Sequence, residues 1–375
     1  MLKILFIFGT RPEAIKLCPV VRHLRSRPED FVTRVCVTAQ HRAMLDQVLE
    51  AFEVTPDHDL NVMLPRQTLF QSTSRILAAL EPVLEAEQPD MVLVQGDTTT
   101  TLCGALGAFY RHVPVGHVEA GLRTGDMSQP FPEEMNRVLA TRLTSLHFAA
   151  TEGAKGNLLR EGVAEETIGV TGNSGIDAVL YVRDGLESGR LQGGELPDLD
   201  PSKKLIVVTA HRRESFGEGF DQICAALAEL ADRDDVQIVY PVHPNPNVQD
   251  PVNRILRAKP NIRLVEPMDY LPFVDLMRRA YLLITDSGGV QEEGPSLGKP
   301  ILVMRDKTER PEAVEAGTVK LVGPHRDRIV GEAVRLLEDR AAYEGMARVH
   351  NPYGDGHASP RIAELILSFF KTNTL

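Results

Sequence analysis

The feature that most limits the folds open to this chain is its alternation of short apolar runs with stretches of helical spacing. Leu2–Phe8, Val32–Thr38, Met91–Gln95, Val113–Val118 and Leu146–Ala149 form a first series. Leu205–Thr209, Gln237–Pro241, Ile262–Val265, Leu282–Thr285 and Ile301–Val303 form a second. These runs are nearly continuous, so each strand is expected to bury both faces. Such strands, separated by helices, belong to parallel sheets covered on both sides. The intervening segments fit helices; Ala225, Leu227, Leu230 and Ala231 mark one apolar face. Two such sheets in series make an α/β protein of two Rossmann-like domains. Ligands are then expected at the carboxyl ends of the strands.

At 375 residues the chain exceeds one ordinary core and suits two domains. The polar, turn-rich stretches Gly185-Leu-Glu-Ser-Gly and Gln192-Gly-Gly-Glu-Leu-Pro-Asp-Leu-Asp-Pro put the boundary between Gly172 and Lys203. Asn351-Pro-Tyr-Gly-Asp-Gly-His is a second break, and Ser359 to Phe370 reads as a closing amphipathic helix. The expected division is 1–172 and 173–358, with the helix in 359–375 packing back on the first domain. No internal repeat is visible. Pro19 falls inside the helix drawn from Pro12 to Leu24, so a kink or a later start is expected there.

Composition narrows the function classes. Hydrophobic residues make up 43% and charged residues 25%, ordinary for a soluble protein. No apolar run approaches a membrane span. Leu2–Phe8 is too short for a signal-peptide core and leads straight into a Gly-Thr-Arg-Pro turn, as a first strand would. Cys18, Cys36, Cys103 and Cys224 lie in apolar patterns, with neither a CxxC nor a metal spacing. Buried, reduced thiols in a cytoplasmic protein are expected, without a metal. The net charge of −11 argues against general nucleic-acid binding. Cations for an anionic ligand would have to be concentrated in a cleft.

Residues 281–300 say most about chemistry. After the Leu282–Thr285 strand, Ser287-Gly288-Gly289 reads as a tight turn and Val290 onward as a helix. That arrangement leaves backbone N–H groups pointing into a crevice and suits a phosphate. Ser287 adds a hydroxyl donor. Glu292 and Glu293 then fall in the first helical turn. They either complement the helix dipole or supply an acceptor for a ribose diol.

Other polar residues also follow strands. In Gly9-Thr-Arg-Pro-Glu-Ala-Ile-Lys, Pro12 suits the first helical position. Arg11 and Lys16 then make either a solvated charged turn or an anion site. Asp97, in Gln95-Gly-Asp-Thr-Thr-Thr-Thr, is either an N-cap or a reactive carboxylate. Glu119 ends an apolar strand among small residues, an uncommon place for a carboxylate without a job or a partner. Glu133 and Glu134 open another helix. Carboxylates at strand ends of one sheet can converge and raise one another's pKa, as acid/base chemistry requires. His211 with Arg212 and Arg213 fits phosphate binding, and a proline-stiffened loop holds His243. Arg305-Asp-Lys-Thr-Glu-Arg-Pro-Glu repeats the pattern after the last strand. There is no GxGxxG after the first strand, and no GxxxxGK[ST], HExxH or GxSxG.

Taken together, FGTRPEAIK at 8–16, QGDTTT at 95–100, HVEAGLRT at 117–124, PEEMNR at 132–137, HRRESFG at 211–217, DSGGVQEE at 286–293, TERPE at 308–312 and NPYGDGHA at 351–358 resemble the non-hydrolysing UDP-N-acetylglucosamine 2-epimerases. The resemblance covers almost the whole chain. It implies a glycosyltransferase-B-like fold with the active site in the interdomain cleft, a homodimer, and no redox cofactor. It implies interconversion of UDP-GlcNAc and UDP-ManNAc, by loss of UDP to a 2-acetamidoglucal and re-addition, supplying sugars for surface polysaccharide. Asp97, Glu119 and Glu133 are its acid/base candidates, with Lys16 beside them and His211 helping the diphosphate to leave. Arg11, His211, Phe273, Ser287, Gly288, Gly289 and Glu293 would bind UDP. Gln40, Arg66, Gln67, Arg212 and His243 match a region that binds a second UDP-GlcNAc as activator in bacterial relatives. Two other readings stay open. One is a hydrolysing epimerase or a glycosyltransferase, the other a non-catalytic nucleotide-sugar sensor.

Overall fold

The apolar runs become buried strands in the structure, a computed structural model that describes residues 1–39, 42–62, 64, 66–308 and 310–373. The first sheet comprises β1 (Leu2–Phe8), β2 (Phe31–Val37), β3 (His58–Asp59), β4 (Met91–Gln95), β5 (Val115–Ala120), β6 (Leu146–Ala149) and β7 (Ile168–Val170). Its order is β3-β2-β1-β4-β5-β6-β7, parallel throughout. The second sheet comprises β8 (Lys204–Thr209), β9 (Val236–Pro241), β10 (Ile262–Val265), β11 (Leu282–Thr285), β12 (Ile301–Val303) and β13 (Val319–Leu321). Its order is β10-β9-β8-β11-β12-β13, also parallel. In both sheets the winding direction reverses beside the first strand, between β1 and β4 and between β8 and β11. A reversal of this kind opens a crevice at the carboxyl ends of the two strands.

The chain divides into two compact units, residues 1–178 with 354–375, and residues 179–353. The first division falls inside the helix Ser174–Glu187. The final helix, Ala358–Asn373, belongs to the first unit. The Asp177 carboxylate accepts the amides of Ala358 at 3.1 Å and Ser359 at 2.8 Å at its start. Further along, Arg27 pairs with Glu364. Each core is aliphatic with a few fully buried aromatics, Phe6, Phe8 and Phe148 in the first unit and Phe220 in the second. Each such ring contributes roughly 1.5–3 kcal/mol through burial.

Three short strands, β3, β7 and β13, escape the sequence pattern. Two or three residues at a sheet edge carry too little apolar signal to stand out. β5 starts two positions later than Val113 because the Val113 amide closes the preceding helix on Ala108 O at 2.9 Å. Of the two outcomes expected at Pro19, the later start is corrected. The helix spans Arg11–Arg25 with Pro19 buried inside it. Its start is fixed by a reciprocal Thr10–Glu13 cap and by Pro12, and one missing N–H in a packed helix does not end it.

Candidate functional site

The first unit's crevice is built on two turns. Gly9 leaves β1 where a Cβ would lie 2.0 Å from Thr38 Oγ1, so only glycine fits the turn. Arg11 and Lys16 follow on the first turns of the helix, both half-buried. Arg11 has no ion-pair partner among the described residues. After β4, the cap of the next helix is Thr98, whose hydroxyl accepts the Thr101 amide at 3.1 Å. Asp97 is therefore not an N-cap. Its carboxylate pairs with the buried Arg137 guanidinium, and Asn136 Nδ2 donates to its backbone oxygen at 2.9 Å.

Glu119 sits at the end of β5 where pairing with β6 slips between Val118 and Ala120. Its φ of +63° is left-handed, a conformation a non-glycine residue adopts only under constraint. The bulge re-aims the side chain. The Lys16 ammonium and the Gln95 amide both donate to its carboxylate, and Asn173 Nδ2 lies 3.4 Å from Oε1. Two strand ends, a helix and the segment after β7 thus meet on one carboxylate.

Glu133 and Glu134 look alike in sequence and differ in space. Glu134 is buried and accepts the amides of Thr124 at 3.1 Å and Gly125 at 3.0 Å, with Arg137 at 3.2 Å. It fastens a loop. Glu133 stands half-buried at the first position of the helix Glu133–Leu143 and remains the acid/base candidate. Behind the crevice, His117 is fully buried with Nε2 2.7 Å from Gly96 O. Burial holds it neutral, with its pKa pushed down to about 3.

The second unit's crevice centres on Asp286, which is fully buried. It accepts the amides of His211 at 2.6 Å and Arg212 at 2.7 Å, and its other oxygen lies 3.4 Å from His211 Nδ1. His243 stacks on His211 with centroids 5.6 Å apart. Burial lowers the His211 pKa, while the Asp286 carboxylate works against that shift. The Ser287 amide is taken by Thr285 Oγ1 at 2.9 Å, and its hydroxyl makes no cap bond. The Ser287 hydroxyl and the amides of Gly288 and Gly289, which open a helix, are therefore the candidate anion donors.

One expectation for that helix is corrected. It spans Gly288–Glu293, starting earlier than Val290, so Glu292 and Glu293 lie at its end and do not complement its N-terminal dipole. Glu292 is buried and pairs with Arg310 at 2.6 Å, while Glu293 is half-buried. Phe273 lies half-buried in the helix Tyr270–Arg279. Of the five activator-region residues, Gln40 lies outside the described residues. Arg66 is exposed at φ +60°, and Gln67 donates to Val62 O at 3.1 Å in the first unit. Arg212 and His243 belong to the second unit.

Glu13, Gln95, Arg137, Asn173, Asp286 and Arg310 do not stand out in the sequence as individual residues. All but Asn173 fall within the quoted motifs, which is the signal that points near them. Asn173 borders the domain boundary, where polar residues read as linker. Among the described residues no group of three or more His, Cys, Asp or Glu side chains is placed to hold a metal ion, and no helix is long and apolar enough to cross a membrane.

Comparison with known proteins gives concordant matches. The family model described as UDP-N-acetylglucosamine 2-epimerase matches residues 22–367. The UDP-N-acetylglucosamine 2-epimerase of Escherichia coli K12 is 59% identical over 370 residues, covering 97% of this chain and 98% of that protein. The crystal structure of UDP-GlcNAc 2-epimerase from Neisseria meningitidis bound to UDP-GlcNAc is 49% identical, with a TM-score of 0.88 over 98% of this chain and 100% of that one. A glycosyltransferase, that of kitacinnamycin, matches over 98% of both chains at a TM-score of 0.64 and 14% identity, a likeness of fold alone.

Proposed function

The chain belongs to the UDP-N-acetylglucosamine 2-epimerase family, and from that premise we propose that it interconverts UDP-GlcNAc and UDP-ManNAc without hydrolysis. The C2 hydrogen leaves as a proton to a carboxylate. The C1–O bond breaks, its electron pair departs with UDP, and a 2-acetamidoglucal remains. UDP then adds back to C1 while a proton reaches C2 from the opposite face. No net electron transfer occurs, so the sugar needs no redox partner.

The observation that carries this reading is the bracing of Glu119 by Lys16 and Gln95. A cation and an amide fix the carboxylate's orientation on a constrained backbone, as a proton-transfer group requires. Asp97 and Glu133 supply further carboxylates for the two faces of C2. The leaving diphosphate develops charge that Arg11, His211, the Ser287 hydroxyl and the glycine amides would stabilise. Glu293 would hold the ribose, and Phe273 would lie against the uracil. The same reading includes a cytoplasmic homodimer that serves surface-polysaccharide synthesis. It also includes activation by a second UDP-GlcNAc at Gln40, Arg66, Gln67, Arg212 and His243.

Proton NMR of the enzyme with UDP-GlcNAc in deuterated water tests the chemistry. UDP-ManNAc carrying deuterium at C2, formed with no added cofactor, is the expected product. Free ManNAc with UDP would indicate hydrolysis. Full retention of the original hydrogen together with dependence on added NAD would overturn the mechanism.

A further inference from the structure

We propose that Glu13 is a positioning residue for this reaction, its buried carboxylate strapping the turn after β1 to the turn after β4. The inference rests on the epimerase reading above and deepens it. Glu13 is 1% exposed and three residues into the helix Arg11–Arg25. Its Oε2 accepts the amides of Gly9 at 3.1 Å and Thr10 at 2.7 Å. Its Oε1 accepts the Thr98 hydroxyl at 2.7 Å. Thr101 Oγ1 lies 3.4 Å from the same oxygen, but its one hydrogen is better placed on Gln95 O at 2.6 Å.

A capping box alone needs only the first of these oxygens. The second reaches across the point where the winding reverses. There it meets Thr98, which is itself the cap of the helix Thr99–Tyr110. Two helix starts are thereby joined through one side chain. The consequence reaches the chemistry because Lys16 rides on the first helix, Gln95 ends β4, and both grip Glu119. Asp97 sits between Gln95 and Thr98. A slip between the two turns would move both donors relative to the carboxylate they orient. Burial raises the Glu13 pKa and its donors work against that shift, so the group is desolvated and held only by its hydrogen bonds.

The variant Glu13→Gln separates strap from cap. The amides of Gly9 and Thr10 can only donate, so the oxygen of the substituted side chain must face them. Its NH2 then meets Thr98 Oγ1 and reverses that bond. The cap is kept and the strap is disturbed. Thr98→Val removes the strap's other end, and Thr98→Ser preserves it. Steady-state kinetics with UDP-GlcNAc are the test, run on variants whose fold is checked by circular dichroism. The expectation for Glu13→Gln and Thr98→Val is a kcat about ten- to a hundred-fold below wild type, the scale for misplaced catalytic groups, with KM changed by less than about three-fold. Thr98→Ser should restore near-normal kcat. The double variant should fall little below the worse single one, since both cut one link.

A merely structural Glu13 would lower the melting temperature and leave kcat per folded molecule intact, which would overturn the proposal. If wild type itself makes no UDP-ManNAc, the epimerase reading fails, and the strap is judged by amide exchange instead. Glu13→Gln should then speed exchange in both turns, residues 9–11 and 96–101. Faster exchange confined to the first turn would overturn the strap.

Discussion

The two units repeat one strand order and fill the same topological crevice with opposite chemistry. At the ends of β4 and β5 the first unit gathers carboxylates gripped by a cation or an amide: Asp97 by Arg137, Glu119 by Lys16 and Gln95. Past β8 and β11 the second unit offers a histidine, a hydroxyl and glycine amides, and its buried Asp286 carboxylate points inward to hold the His211 turn. The sheet decides where a site can be; the short turns after its strands decide what the site does. The proposed mechanism divides labour along the same line, with proton transfer in the first unit and recognition of the diphosphate chiefly in the second.

The sharpest way to break that division is to neutralise the carboxylates. Asp97→Asn, Glu119→Gln and Glu133→Gln should each lower turnover by at least about 100-fold, the usual scale for losing a positioned acid or base. Calorimetry should show UDP still binding to each. Near-normal turnover in all three, or UDP affinity lost in step with turnover, would put proton transfer and recognition in the wrong units. In the second unit the informative change is Gly288→Ala. A Cβ there would lie 2.5 Å from Arg310 Cζ, and Arg310 is held by Glu292. The guanidinium must shift and the turn with it. A loss of roughly ten-fold in UDP affinity is expected, about 1.4 kcal/mol. Unchanged binding would mean that the glycine turn does not meet the phosphates.

The last contrast concerns acid, with a small effect for each pH unit. His117 keeps a pKa of about 3 in the folded chain against an ordinary value of 6.5. The unfolded chain therefore takes up the proton first. Stability present above pH 6.5 should be lost as pH falls from there toward 3, roughly 1 kcal/mol over the first pH unit. Denaturant melts of wild type and His117→Gln should differ in that slope. His211, half-exposed and facing Asp286, should contribute much less, and an equal contribution would erase the contrast between the two crevices.

The polar turns that follow strands are legible in the sequence because both signals are local. A run of apolar residues marks the strand, and the polar turn comes next. Partnership is not legible in the same way. Glu133 and Glu134 are adjacent and chemically equal, yet one fastens the Thr124 loop and the other does not. Glu292 and Glu293 repeat the lesson in the second unit, where Arg310, eighteen residues from Glu292, selects one of the pair. Which carboxylate turns inward depends on helix phase and on residues distant in sequence. Asn173 reads as linker because its role exists only once β5 and the segment after β7 are neighbours. The start of the Gly288–Glu293 helix is hidden because two glycines argue for a turn, while the fold uses them as the first helical residues.

The bulge at Glu119 has a consequence for how such a chain can change. A left-handed backbone at that position is easy for glycine and strained for glutamate, by about 1 kcal/mol or more. Selection for sturdiness alone would drift the position toward glycine and remove the carboxylate that the proposed mechanism uses. Holding glutamate there means that stability and activity pull in opposite directions at one residue. Gains in robustness must then arise elsewhere in the sheet, and the edge strands and surface helices are freer to supply them.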